Sequence, residues 1–245
     1  MLSEQIPSEV LRTHTLNNHK YIVSMRTRMR RAGFVSRAEA GKILARLLKY
    51  YDNMPNTSVL SINSAPLPLA NEIATKLNLP LDLFLIRTLK IDGWTVGAIT
   101  DRTEEPLLKD QIIRGCNISQ ETLDQIIRQE RFQLDMQRTL FQPPNIPFST
   151  SEDATILLTI DGIQTGQSAR AAINLLRTLG FKGKIVLVAG VIGSDAQKMF
   201  KRDAVDVIAV KGPQSVGTVA SWYENNEELT NEQIKNFLGH NRYSR

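Results

Sequence analysis

Hydrophobic positions along this chain recur with two periods, and their alternation predicts a parallel sheet covered by helices. The clearest case is the stretch TILLTIDGIQTGQSARAAINLLRTL, from Thr155 to Leu179. Residues 155–160 are apolar and rich in β-branched side chains, the pattern of a strand buried on both faces. Further on, Ala172, Leu176 and Leu179 fall on one helical face, with Arg170, Asn174, Arg177 and Thr178 on the other. Gly180 is placed to stop that helix. Between strand and helix lies Asp161-Gly162-Ile163-Gln164-Thr165-Gly166-Gln167-Ser168. A loop with two glycines and two hydroxyls that opens a helix suits a phosphate. The glycines let the backbone approach, and the unpaired N–H groups and dipole of the helix favour an anion. Glycines that serve only the turn would give the same pattern.

The rest of the chain reads the same way. Ser36 and Glu39 form a capping box, with Val35 and Ala40 at staple positions. Ala40, Ile43, Leu44, Leu47 and Leu48 make the apolar face of the helix that follows. A strand over residues 58–62, a turn Asn63-Ser64-Ala65-Pro66, a helix over about 68–77 and a strand over 81–87 compose a βαβ unit. A long charged helical pattern starts at Ser119 and runs towards Leu140. The Pro/Ser-rich segment at 142–153 is a hinge candidate. After the central stretch come a strand at 184–189, a helix at 194–202 opened by Ser194, and a strand at 205–210. Thr230 and Gln233 box a last helix that runs to Leu238. Alternating β and α elements with apolar strands predict an α/β, doubly wound parallel sheet with ligands at the carboxyl ends of its strands. On that reading the Asn63 and Asp161 loops share one end.

Charge adds a second feature. The net charge is +5. Residues 1–31 carry Arg12, Lys20, Arg26, Arg28, Arg30 and Arg31 against Glu4 and Glu9, so most of the excess sits there. Residues 1–33 read as a basic extension with weak structure. Its arginines either reach nucleic acid or another polyanion, or pair with surface acids on a solvated arm, and the second reading is preferred. The only cysteine is Cys116, which excludes a disulfide framework and a cysteine-based zinc site. His14, His19 and His240 have no metal-ligand spacing, so no metal ligands are assigned. No apolar run reaches the roughly 18 residues of a membrane span, and the start has no signal-peptide core. The expected setting is the cytoplasm.

These residues carry a resemblance. The strand–loop–helix at Asp161 is similar to the ribose-phosphate motif of the type I phosphoribosyltransferases, which in one bacterial branch reads close to VDDGIATGAT. The strings FVSRAEAGKILARLL and SVLSINSAPLPLANEIATKLNLPLDLFLIRTL resemble the opening helix and the VLALPRGGVPVA-type unit of the same branch. The resemblance covers about residues 34–240. It implies one domain, 34–245, with a parallel core and a small hood over about 88–150. It also implies that Asp161 holds a ribose hydroxyl. Gly162, Ile163, Gln164, Thr165, Gly166, Gln167 and Ser168 would then form the 5′-phosphate cradle, with Asn63, Ser64 and Arg87 facing the leaving group. Ile160 stands where the family has its first acid, and Asn63 to Pro66 replace the pyrophosphate-binding P-R-G-G turn. Ser64 removes a guanidinium fork, Ala65 a glycine and Pro66 an N–H. Arg87 keeps a family arginine, while Thr88 replaces the lysine after it. Trp222 and Tyr223 match a W-Y pair near the family's end and either stack on a base or close the core.

Two functions stay open at this level. One is a phosphoribosyltransferase that moves ribose 5-phosphate from phosphoribosyl pyrophosphate to a nitrogen base, with Mg²⁺ accompanying the pyrophosphate substrate. The other is a catalytically degenerate relative that binds a nucleotide or sugar phosphate as a sensor or adaptor. A scaffold without a ligand is a third, lesser reading. A homodimer is compatible with each, and a membrane partner with none.

Overall fold

The computed structural model describes residues 11–16, 19–24, 33–144, 149 and 151–240. Two strands open it, β1 (Leu11–Leu16) and β2 (His19–Ser24), followed by α1 (Arg37–Leu47). The βαβ unit is β3 (Thr57–Ile62), α2 (Leu67–Leu77) and β4 (Leu81–Phe84). Next come β5 (Ile86–Ile91), β6 (Trp94–Thr100), β7 (Thr103–Leu108), α3 (Asp110–Gly115) and α4 (Gln120–Phe141). The second half is β8 (Thr155–Ile163), α5 (Gln167–Thr178), β9 (Lys184–Ile192), α6 (Ser194–Arg202), β10 (Asp206–Lys211) and α7 (Asn231–His240). No helix among the described residues is long and apolar enough to cross a membrane.

The main sheet runs β1-β2-β10-β9-β8-β3-β4, and all neighbours from β2 to β4 are parallel. Alternate side chains of its strands enter two separate cores. Leu157, Val186 and Val188 pack with α1, α2 and α7 on one face. Ile156, Leu158, Leu187 and Ala189 pack with α5 and α6 on the other. This is the expected α/β, doubly wound arrangement. From β3 the chain moves outward to β4 and then returns to β8 on the other side, so the order reverses between β3 and β8. Such a reversal opens a crevice at the carboxyl ends of the strands.

Three features differ from the sequence expectation. Residues 1–33 were expected to be weakly structured, yet they supply β1 and β2. The pair forms an antiparallel hairpin, and β2 lies parallel to β10 with Ile22 opposite Ile208. The hairpin covers an edge that β10 would otherwise present. The arm's Arg26, Arg28, Arg30 and Arg31 lie outside the described residues.

Second, the strand expected at 81–87 is two strands in two sheets. The Ile86 N–H donates to the Asn63 side chain (2.9 Å) rather than continuing the ladder. The chain then turns into the antiparallel sheet β5-β6-β7, which forms the hood with α3 and α4. Third, Val35 is 58% exposed and makes no staple. The Ser36 hydroxyl does cap Glu39 N–H, and the Glu39 carboxylate takes the Val35 N–H one residue upstream. The last helix has both arms of its box, between Thr230 and Gln233. At the other end of α5, Gly180 adopts φ +87° and closes the helix, with Phe181 N–H on Leu176 O.

The hood's β6–β7 turn is fastened to edge strand β4. Arg102 donates to Asp82 at 2.7 Å and to Leu83 O at 3.2 Å, and both charged side chains are nearly fully buried. Replacing Arg102 by Met leaves the Asp82 carboxylate without its guanidinium. Urea denaturation is expected to record a loss of about 3 kcal/mol, largely recovered in the double variant with Asp82→Asn. A loss no larger than that of a surface arginine would refute the fastening role. Next to it, burial pushes the Asp101 carboxyl above the usual carboxylate range, against the pull of Arg102 and the Thr100 hydroxyl. Its Oδ2 is buried without a hydrogen-bond partner. The native state therefore keeps this proton to higher pH than the unfolded chain. The contribution is fully present below the ordinary Asp value of about 3.9 and is lost as pH rises through the folded value. Stability measured across the acid range is expected to fall less with rising pH in Asp101→Asn than in the parent.

Candidate functional site

Strand β8 is longer than its sequence predicts. It pairs with β9 as far as Ile163 opposite Ile192, so Asp161, Gly162 and Ile163 are strand residues. The connecting loop is only Gln164-Thr165-Gly166. Ile163 is buried against the α5–α6 core, and its carbonyl accepts from Gly193 N–H at 2.9 Å. A Cβ on Gly162 would lie 2.6 Å from Val219 Cγ1. Gly162 therefore serves packing, and Ile163 turns its side chain away from the crevice.

The residues that follow, as far as Ser168, are exposed except for Gly166. Gly166 caps α5 with φ +79°, and a Cβ there would meet Met199 Cε at 2.3 Å. Gln164, Thr165, Gln167 and Ser168 are exposed around it. Arg170 N–H makes the first intrahelical bond, to Gly166 O (2.9 Å), so the N–H groups before it have no intrahelical acceptor. No side chain caps this helix, and no acid lies in its first turn. The start of α5 is thus an electropositive nest of N–H groups flanked by two hydroxyls.

Asp161 sits beside this nest and is held from three sides. Arg37 at the start of α1 donates Nε and Nη2 to its Oδ2, both at 3.0 Å. Gly162 N–H donates to its Oδ1 at 3.0 Å. Tyr223 donates its hydroxyl to the Asp161 carbonyl at 2.5 Å. Arg37 also reaches Asn226 Oδ1 (2.9 Å) and lies 4.8 Å over the Tyr223 ring. Burial, reinforced by the Asp161 charge, pushes the Tyr223 phenol well above its ordinary value, so it stays a donor. Gly190 on β9 makes room for it, since a Cβ there would be 2.2 Å from the Tyr223 hydroxyl.

Tyr223 cannot stack on a base. It is 3% exposed, with Phe34 stacked at 5.4 Å and Arg37 over the ring. Trp222 donates Nε1–H to Val216 O (2.7 Å). The pair closes the core. Arg37 was not among the residues expected at the site. Its only sequence signal is a cation one residue after a helix cap, which is common on surfaces.

Of the residues expected to face the leaving group, Asn63 and Arg87 are bonded through their side chains within the protein, and Ser64 through its backbone carbonyl. Asn63 adopts φ +61°. Its N–H donates to Phe84 O (3.0 Å), its side chain accepts from Ile86, and its carbonyl accepts from the Ser61 hydroxyl at 3.0 Å. Ser64 O accepts from Leu67 N–H at 3.0 Å, starting α2. Arg87 is paired with Glu130 of α4. Among the described residues no group of three or more His, Cys, Asp or Glu could hold a metal ion. A Mg²⁺ brought in on a pyrophosphate substrate fits such a site only in part. It keeps most of its waters and needs one or two carboxylates, and the carboxylate here, Asp161, is already paired.

No family model matches this chain. Over 210 residues, 84% of its length, it is 28% identical to "Putative phosphoribosyl transferase Rv0571c" of Mycobacterium tuberculosis H37Rv, and equally to its counterpart MT0597 in strain CDC 1551. By sequence it is similar to proteins named as phosphoribosyl transferases. The chain spans about half the length of these relatives, 46%. The crystal structure of TT1426 from Thermus thermophilus superposes with a TM-score of 0.68 at 24% identity, covering 84% of this chain and 97% of that one. The two share a fold. Orotate phosphoribosyltransferase from Aeropyrum pernix superposes at 0.41 with 15% identity, too low to bear on the chemistry here.

Arg37 is the residue whose loss should disturb the site most. In Arg37→Met the Asp161 carboxylate, 15% exposed, loses two charge-assisted hydrogen bonds. Chemical denaturation is expected to show a loss of about 1.5–3 kcal/mol, and Tyr223→Phe about 1 kcal/mol. An Arg37→Met protein as stable as the parent would show that the pair does not hold α1 to β8.

Proposed function

We propose that this chain binds the ribose 5-phosphate end of a phosphorylated sugar or nucleotide as a phosphoribosyltransferase does. The observation that carries the reading is the open start of α5, where Gly166 is left-handed and Thr165 and Ser168 are exposed beside Asp161. A phosphate there accepts from the N–H groups of the first turn and from the two hydroxyls. The ribose then lies towards Asp161, whose carboxylate accepts from a sugar hydroxyl. The names of the Mycobacterium relatives support the same assignment.

In the transferase form of this reading the donor is phosphoribosyl pyrophosphate. The C1′–O bond breaks, pyrophosphate leaves with the electron pair, and a nitrogen lone pair of a base forms the new C1′–N bond. Developing positive charge on the sugar is favoured by Asp161, and the Arg37 guanidinium is the fixed cation nearest that carboxylate. Much of the rate would come from holding the phosphate end still while the other end reacts. Mg²⁺, where present, would neutralise the pyrophosphate charge. The fold gives this step little on the leaving-group side, because Asn63 and Arg87 are already bonded to the protein. That observation favours a second reading, in which the chain recognises the ribose 5-phosphate group without turnover and acts as a sensor or adaptor.

Thermal unfolding with ribose 5-phosphate and with phosphoribosyl pyrophosphate, each with and without Mg²⁺, tests the proposal. Ribose 5-phosphate at about 100 times its Kd is expected to add about 2.7 kcal/mol, and Ser168→Asp is expected to abolish the shift. Further stabilisation by the pyrophosphate compound with Mg²⁺, with pyrophosphate released when a base is added, selects the transferase. Equal stabilisation by both selects recognition. No shift with either compound would sink both.

A further inference from the structure

A second hollow lies outside the ribose-phosphate crevice, between the hood sheet and the outer face of α5. Its volume is about 380 Å³, within the roughly 300–1,000 Å³ typical of small-molecule sites. One wall is β6 and β7, with Gly97, Ala98, Leu107 and Leu108, and Ile112 of α3 adds to it. The other wall is α5, with Gln167, Arg170, Ala171 and Asn174. Small residues make the space. Ala98 and Ala171 lie on its two opposite walls.

The charges around this hollow are one-sided. Its lining includes Lys109 and Arg170, and no carboxylate among the described residues. Lys109 donates to Gln167 Oε1 at 3.4 Å. Arg170 is paired at 3.4 Å with Asp203, which follows α6. Burial and the Arg170 charge hold the Lys109 amine below its ordinary value, as expected for two cations brought together over apolar surface. An ammonium and a guanidinium lining one hollow, with amides beside them and an apolar floor, match one kind of guest.

We propose that this hollow binds a small anion with an apolar body, its carboxylate or phosphate head between Lys109 and Arg170 and its body against Ala98, Leu107 and Ala171. The site is distinct from the ribose 5-phosphate cradle, although Gln167 borders both. The head offsets the Lys109 charge and adds to the Asp203 carboxylate that Arg170 already has. The apolar body replaces water on a floor that has few groups to bind it.

Isothermal titration of the whole chain with benzoate, phenyl phosphate and benzamide tests this. Benzamide has the shape of benzoate without its charge. At least one of the two anions is expected to bind at least about tenfold tighter than benzamide, as a charge-assisted contact requires. The better of the two identifies the head as carboxylate or phosphate. Lys109→Met is expected to weaken that anion about tenfold or more. Ala171→Phe, which fills the hollow and keeps both cations, is expected to abolish binding. Ribose 5-phosphate is titrated into the same proteins. Its affinity is expected to stay within about threefold, well under the tenfold step a lost charge contact makes. Equal binding of benzamide and benzoate, unchanged affinity in Lys109→Met, or one-for-one displacement of the anion by ribose 5-phosphate would each overturn the proposal. Failure of ribose 5-phosphate to bind anywhere, with benzoate binding intact, would count against the cradle and leave this site standing.

Discussion

The guanidinium of Arg37, held between the Asp161 carboxylate and the Tyr223 ring, is the contact on which the rest of the site depends. It joins the first helix, the central strand and the C-terminal segment at one point. Backbone bonds reinforce it. Phe34 N–H donates to Trp222 O at 2.7 Å, and Glu224 N–H to Phe34 O at 2.9 Å. Glycines at 162 and 190 exist because this cluster is tight, with Val219 and Tyr223 filling the space a Cβ would need. Buried charge of this kind stabilises only when its partners are all present. The junction is therefore cooperative, and it fixes the direction in which Asp161 can offer an oxygen.

Around that point the carboxyl end of the sheet is divided. On the α5 side the helix start is left open, with uncapped N–H groups and the exposed Thr165 and Ser168 hydroxyls around a buried, left-handed Gly166. On the β3 side Asn63 and Arg87 are already bonded within the protein. Asn63 uses its backbone and its side chain to stop β4 and send the chain into the hood. Arg87 has turned to Glu130. The hood has gained something in exchange, a firm seat on edge strand β4 through Arg102 and a hollow against α5.

Much of the fold was legible because it rests on local periodicity. The two-sided apolar run at Leu157, the α5 stripe, the cap at Ser36 and the box at Thr230 all concern neighbours within a few residues. The open helix start of α5 was legible for the same reason, since its glycine and hydroxyls are contiguous from Thr165 to Ser168. The misreadings have a common cause. Where β8 ends is set by β9, not by β8's own residues. Where β4 ends is set by a side chain at Asn63. The hairpin at Leu11–Ser24 becomes sheet because β10 offers an edge to it.

The sequence by itself determined the alternation of strands and helices in the parallel core and singled out the Thr165–Ser168 stretch as a candidate phosphate loop. Each of these follows from the spacing of apolar, glycine and hydroxyl positions along a few turns or one strand. Only the tertiary structure decided what Asp161 is bonded to, 124 residues away at Arg37. Only it decided that Tyr223 is a buried donor rather than a base platform, and that Lys109 and Arg170 share a hollow. Pairings over such separations leave no periodic trace, because they are selected by which surfaces the packed sheet and helices bring together.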